Sequence, residues 1–276
     1  MFPRLLVGLD GSAGADAALG LAIALGRRFP TTLVLAAVTD VRVLEAPLYG
    51  AGPLWAEGMP VAPSVAELGT VLEERSLQLL NAAADRVRAE GLAVETVHAT
   101  GVVDEELLRF LEEADALVLG RRGELHERPG TLGGVTTHLV RRSPKPVLVA
   151  GERPSALARP VVACDGGTTS AAALEVAATW AATLSIPLDV VHVGDVSSAA
   201  AVLDSAGDVL RARGVTFTTA RLDGDVAGAI AAHADARQAD LLFVGAHGGR
   251  HRRTLFEGSH AEKLLRATAV PVVIAR

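Results

Sequence analysis

Leu5-Leu6-Val7-Gly8-Leu9-Asp10-Gly11-Ser12 returns later in the chain as Val161-Val162-Ala163-Cys164-Asp165-Gly166-Gly167-Thr168. Each stretch is an apolar run of strand length that ends in Asp-Gly. Each is followed by an Ala/Leu-rich helical stretch, Ala13 to Phe29 in the first case and Ser170 to Leu184 in the second. A strand, a turn and a helix in that order open a βαβ unit, and a unit written twice sets the fold. Two further pairs extend the repeat: Ala116-Leu117-Val118-Leu119-Gly120 with Leu241-Leu242-Phe243-Val244-Gly245, and Lys145-Pro146-Val147-Leu148-Val149-Ala150 with Val270-Pro271-Val272-Val273-Ile274-Ala275. The opening strands stand 155 residues apart but these later pairs only 125, so the first copy carries about 30 additional residues between its second and fourth strands.

Within each copy, short apolar runs alternate with helical periodicity, the pattern of a parallel sheet covered by helices. The expected strands are 4–9, 32–38, 93–98, 115–119 and 146–150, then 160–164, 188–193, 215–220, 240–244 and 271–275. Leu72 to Glu90 groups its charges as a helix with one solvated face does, and Gly91 and Gly214 stand where helix stops belong. Residues 40–63 are rich in Pro and Gly and hold Tyr49, Trp55 and Met59, so they read as a long excursion: a surface loop, a lid over a site or a partner contact. Gly151 to Ala156 has the polar, proline-marked composition of a linker. The expected organisation is a first domain over 1–151 with an insertion at about 40–70, a linker over 152–159, and a second domain over 160–276.

Half of the 276 residues are hydrophobic and 21% are charged, which suits ordinary globular cores. Aromatics are 3% and the net charge is -6, leaving few rings on which bases could stack and no electrostatic attraction for DNA or RNA. The single Cys164 excludes an intrachain disulfide and a thiolate zinc site, and its place in a strand points to inert packing. No apolar stretch reaches membrane-span length, and the opening Met1-Phe2-Pro3-Arg4 lacks the layout of a secretory signal. A cytoplasmic location is the expectation.

Open parallel sheets bind ligands at the carboxyl ends of their strands. Two features should meet at that edge: the Asp that ends each first strand, and a glycine loop after each fourth. In the second copy the loop runs Gly245-Ala246-His247-Gly248, then nine residues, then Gly258-Ser259 at the start of a helix. Gly245 and Gly248 let the backbone approach a phosphate and expose its N–H groups. Gly258 and Ser259 add free amides and a hydroxyl at a helix N-terminus, where an anion is favoured.

At these residues the chain resembles the universal stress protein family, in the form that joins two such domains in tandem. The resemblance implies an α/β fold of two tandem Rossmann-like (adenine nucleotide alpha hydrolase-like) domains, each a five-stranded parallel sheet of order 3-2-1-4-5 flanked by helices. It implies ATP as the ligand, with ADP or AMP as alternatives and Mg2+ accompanying the nucleotide. In the second copy Asp165 and Val193 would contact the nucleoside, and Gly245, Gly248, Gly258 and Ser259 the ribose and phosphates, with Val244 and His260 as flanking candidates. In the first copy the corresponding residues are Asp10, Val38, Gly120, Gly123 and Gly133, with Gly134 standing where the motif's serine belongs. The lost hydroxyl removes one hydrogen bond, worth about 0.5–1.5 kcal/mol, or up to roughly tenfold in affinity. Pro129-Gly130 also breaks the first loop where the family keeps an apolar stretch. The resemblance further implies that the two final strands pair with each other as an internal pseudo-dimer, with a further homodimer as an option.

Other constellations carry less. Arg250-His251-Arg252-Arg253 could meet a terminal phosphate or simply be a solvated run. His247 and His251 are four apart, but Gly248-Gly249 between them argues against a helix, so no metal site is expected. His192 reads as packing or local hydrogen bonding, and Ser12 has no recognisable base for a hydrolase triad. No G-x4-G-K-[ST] loop occurs, so a kinase or motor is excluded while slow ATP hydrolysis is not. The reading is a nucleotide-dependent stress or signalling regulator with a protein partner, set against a slow ATPase and a nucleotide-free interaction module of the same fold.

Overall fold

The computed structural model describes residues 2–42, 65–123, 131–246 and 260–276. The first half runs β1 (Arg4–Leu9), α1 (Ala13–Gly26), β2 (Thr32–Asp40), α2 (Val65–Ala89), β3 (Ala93–Gly101), α3 (Val103–Leu111), β4 (Ala116–Leu119), α4 (Gly134–Arg142) and β5 (Val147–Val149). The second repeats it as β6 (Pro160–Ala163), α5 (Thr168–Leu184), β7 (Leu188–Val193), α6 (Val196–Ala212), β8 (Phe217–Leu222), α7 (Val226–Ala236), β9 (Leu241–Gly245), α8 (His260–Ala267) and β10 (Val272–Ala275).

All ten strands form one sheet of order β3-β2-β1-β4-β5-β10-β9-β6-β7-β8. Pairing is parallel within each half, and the halves meet where Val147, Leu148 and Val149 of β5 pair antiparallel with Ile274, Val273 and Val272 of β10. These strands are fully buried and read as unbroken Val/Leu/Ile runs because helices cover both faces. The two covering layers are not separate for each half. Leu5, Leu19 and Leu33 share one core cluster with Trp180, Leu188 and Phe243, and Leu6, Leu117 and Leu139 share another with Val161, Leu242 and Leu264.

Several element ends differ from the sequence expectation. β8 begins at Phe217, not 215, because Val215 N–H turns back to Leu210 O and Gly214, at φ 64°, closes α6, so this cap consumes the intervening residues. α2 begins at Val65 rather than Leu72; Ala66, Glu67 and Leu68 are good helix formers, and Thr70 Oγ1 bonds back to Ala66 O. α1 stops at Gly26, short of Phe29, with Arg28 and Phe29 amides both folding back onto Leu25 O. β2 continues to Asp40 because β3 pairs with it through Gly101. Residues 43–64, which hold most of the expected insertion with Tyr49, Trp55 and Met59, lie outside the described residues.

The stretch from 151 to 159 is polar in composition yet tied down. Arg153 N–H donates to Ala269 O, Ala158 and Arg159 amides donate to the Asp240 carboxylate, and Leu157 is buried.

Candidate functional site

In both halves the turn after the first strand is built by its aspartate. Asp10 Oδ1 accepts from the Ser12 amide at 3.0 Å and the Ser12 hydroxyl at 2.6 Å, and Asp165 Oδ1 accepts from the Gly167 amide at 2.8 Å. This side-chain-to-backbone closure lets the chain leave the strand and enter a helix within three residues. Gly11 (φ 85°) and Gly166 (φ 78°) take the left-handed conformation that the closure requires. Ser12 then caps α1 by accepting from Ala15 N–H. α5 has Gly167 at that position and no side-chain cap; instead Ser170 Oγ accepts from the Asp165 amide and donates to Gly167 O.

Register puts the aspartates level with the valines on the neighbouring strands. Leu9 pairs with Ala37, so Asp10 comes alongside Val38; Ala163 pairs with Val191, so Asp165 comes alongside Val193. Both valines are half-buried. In the second half the strand ends are also pinned by His192, whose Nδ1 lies 2.7 Å from Cys164 O and whose Nε2 lies 3.3 Å from Ser198 Oγ. The carbonyl can only accept, so Nδ1 carries the proton and Nε2 faces the hydroxyl. His192 is 6% exposed, and it is a local hydrogen-bonding residue as its sequence position suggested.

The glycine loop of the first half folds directly onto this turn. A Cβ on Gly120 would strike the backbone of Gly14, and one on Gly14 would strike Arg122 O. A Cβ on Gly123 would sit 2.5 Å from Asp10 Oδ2, so the loop backbone passes against the carboxylate. Gly133 N-caps α4 without a side-chain cap, and its own amide donates to Arg121 O at 2.8 Å. Asp10, Val38, Gly120, Gly123 and Gly133 therefore meet at one edge of the sheet. Gly134 is exposed at the first position of α4 with nothing within 4 Å of a Cβ there.

In the second half Gly245 packs against the first turn of α5, where a Cβ would come 2.6 Å from Thr169 Oγ1 and 2.7 Å from Ser170 N. Since Ser170 also holds the Asp165 amide, Asp165, Val193 and Gly245 share one strand-end corner. Val244 lies 6% exposed in the core beneath it, and His260 is exposed at the start of α8. Gly248, Gly258 and Ser259 lie outside the described residues, as do His247, Arg250 to Arg253 and Pro129-Gly130.

Three contributors have no structural role in the sequence reading. Gly14 and Ser12 build the first corner, and a serine directly before a helical stretch is an N-cap signal that could have found Ser12. Arg121 was expected only as a loop residue. Its guanidinium turns into the seam between the halves, donating to Ala150 O at 3.1 Å, to Val270 O at 2.7 Å and to Leu265 O. Burial lowers its pKa to about 10, so it stays charged at neutral pH among uncharged carbonyls.

Cys164 is buried, and desolvation with the Asp165 charge pushes its thiol up to about 12. A water-soluble thiol reagent near pH 8 should therefore label none of the native protein and one thiol per chain after unfolding in guanidinium; native labelling would contradict this packing. Among the described residues no group of three or more His, Cys, Asp or Glu is placed to hold a metal ion, and no helix is long and apolar enough to cross a membrane.

A family model, the universal stress protein family, matches residues 1–151 and 199–276. A universal stress protein of Synechocystis is 31% identical over 188 residues, covering 67% of this chain and 66% of that protein. One from Mycobacterium tuberculosis is 28% identical over 295 aligned positions, covering 99% of this chain and 96% of that protein. A universal stress protein from Archaeoglobus fulgidus superimposes with a TM-score of 0.79 at 19% identity, covering 99% of this chain and 98% of the other. Shared sequence across both halves, and a shared fold over the full length, agree with the paired Asp corners and glycine loops: the chain belongs to the universal stress protein family.

Proposed function

We propose that the protein is an adenine-nucleotide-binding regulator of stress or signalling, in which occupancy of strand-end sites alters conformation or partner choice. The observation that carries this reading is the meeting of Asp10 with the Gly120–Gly123 loop and the N-terminus of α4, where the N-cap residue is Gly133. A carboxylate that can accept from ribose hydroxyls stands beside backbone and helix-end amides that can donate to phosphates. The second half presents the same corner at Asp165, Val193 and Gly245, and its sequence completes the motif with Gly248, Gly258 and Ser259. Mg2+ would enter with a bound triphosphate.

Saturating ATP, at a hundred times its dissociation constant, should raise stability by about 2.7 kcal/mol, measured as a thermal shift. No shift, and no nucleotide released from the purified protein on mass spectrometry, would leave an interaction module of the same fold. ADP appearing from labelled ATP at catalytic protein amounts would favour the slow ATPase.

Gly134→Ser supplies the hydroxyl that the first motif lacks, at a position with open space around it. Titrated with ATP in an Asp165→Ala background, it should tighten the first site by up to about tenfold. Unchanged affinity would show that position 134 does not face the phosphates.

A further inference from the structure

Arg121 occupies the second position of the first glycine loop, between Gly120 and Gly123, yet its side chain is spent on the other half of the molecule. It is 7% exposed, and two of its three carbonyl partners, Leu265 and Val270, belong to the C-terminal half. Leu265 lies near the end of α8, and Val270 just before β10. The backbone of the same residue serves the first site, since Arg121 O holds the amide of Gly133 at the start of α4. One residue thus bonds the first phosphate loop, the first site's helix and the second half together.

A second tie runs parallel to it. Arg141 on α4 forms a two-pronged ion pair with Glu262 on α8, and Glu262 is 3% exposed. α4 begins at Gly133-Gly134 and α8 begins directly after Gly258-Ser259, so these are the two helices whose N-termini belong to the two glycine motifs. The repeat puts Ala246 where the first half has Arg121, and alanine has nothing with which to reach across. At this position the reach runs from the first loop into the second half.

We propose that Arg121 is a positioning residue through which the first glycine loop and α8 move as one body, so that the two strand-end sites are coupled rather than independent. The inference rests on the nucleotide reading above for the identity of the ligand, but not for the mechanical link. Three acceptors around a planar fork suit guanidinium and not ammonium, so lysine retains the charge and loses the geometry.

The test is hydrogen exchange on the full-length chain in two arms. Without nucleotide, Arg121→Lys should speed amide exchange by about tenfold or more both at 133–137 and at 260–267, while 217–222 on the far strand stays unchanged. In the Asp165→Ala background, which directs ATP to the first site, ATP should slow exchange at 260–267 by about fivefold or more, and Arg121→Lys should abolish that distant protection while protection at 133–137 remains. Faster exchange confined to 133–137 in the first arm, or ATP protection that never crosses to α8 in the second, overturns the coupling. A wild-type chain that takes up no ATP removes the nucleotide reading and the coupled sites with it, while the nucleotide-free arm still decides whether the loop and α8 are linked.

Discussion

Trp180→Ala should cost about 3–5 kcal/mol and leave a single unfolding transition, at a lower temperature. Trp180 sits on α5 in the second half at 3% exposure. Its ring centroid lies 6.1 Å from that of Phe2 and 5.1 Å from that of Phe29, both in the first half, and 5.2 Å from that of Phe243 in its own. Removing the indole empties a volume that both halves line, and helices on either side cannot close it without sliding on a shared sheet. At about 2–4 °C per kcal/mol for a chain of this size, the melting temperature should fall by roughly 6–20 °C. Calorimetry on the full chain checks both claims. Two separate transitions, with only the later half shifted, would mean that the halves are thermodynamically independent despite the common core. Trp180→Phe should cost less, because it keeps the aromatic contacts and deletes a buried Nε1 that has no hydrogen-bond partner among the described residues.

This aromatic cluster also marks the limit of what the sequence could reveal. Strand positions were legible because a strand buried on both faces must be an uninterrupted apolar run, and Leu5 to Leu9 and Leu241 to Gly245 are such runs. The site corners were legible for a different reason. A strand-end Asp followed by Gly, and a G-x2-G loop at fixed spacing, are local patterns whose chemistry needs no knowledge of the rest of the chain. Trp180 meeting Phe2 is neither local nor periodic, since it depends on how α5 meets the residues before β1 across a ten-stranded sheet. Arg121 is similar: within Gly120-Arg121-Arg122-Gly123 both arginines look alike, and only the seam between β5 and β10 distinguishes them. Arg121 turns into the seam, whereas Arg122 reaches Glu152 at 3.0 Å. The ends of α2 and β8 slipped for different local reasons: good helix formers carry α2 back to Val65, and in α6 the cap at Gly214 reaches two residues further than its glycine alone suggests.

Glycines in the first loop should separate into those that hold the fold and those that serve the ligand. Gly120→Ala places a Cβ into the backbone of Gly14, and a main-chain obstacle cannot rotate away. A cost of about 3 kcal/mol, at the upper end of ordinary overpacking, is expected, with a fall of roughly 6–12 °C in melting temperature whether or not nucleotide is present. Gly123→Ala meets the Asp10 carboxylate instead, which can swing aside by giving up its bond to Ser12. Its effect should fall mainly on ATP affinity, because the displaced group is the one assigned to the nucleoside. Gly134→Ala meets nothing and lies in a helix, so it should stabilise the protein by about 0.4–1 kcal/mol. Thermal melts of the three variants with and without ATP give the ordering directly. Equal losses at 120 and 123 in the absence of nucleotide would show that Asp10 is fixed as rigidly as the backbone, and that the corner is a structural joint before it is a binding site.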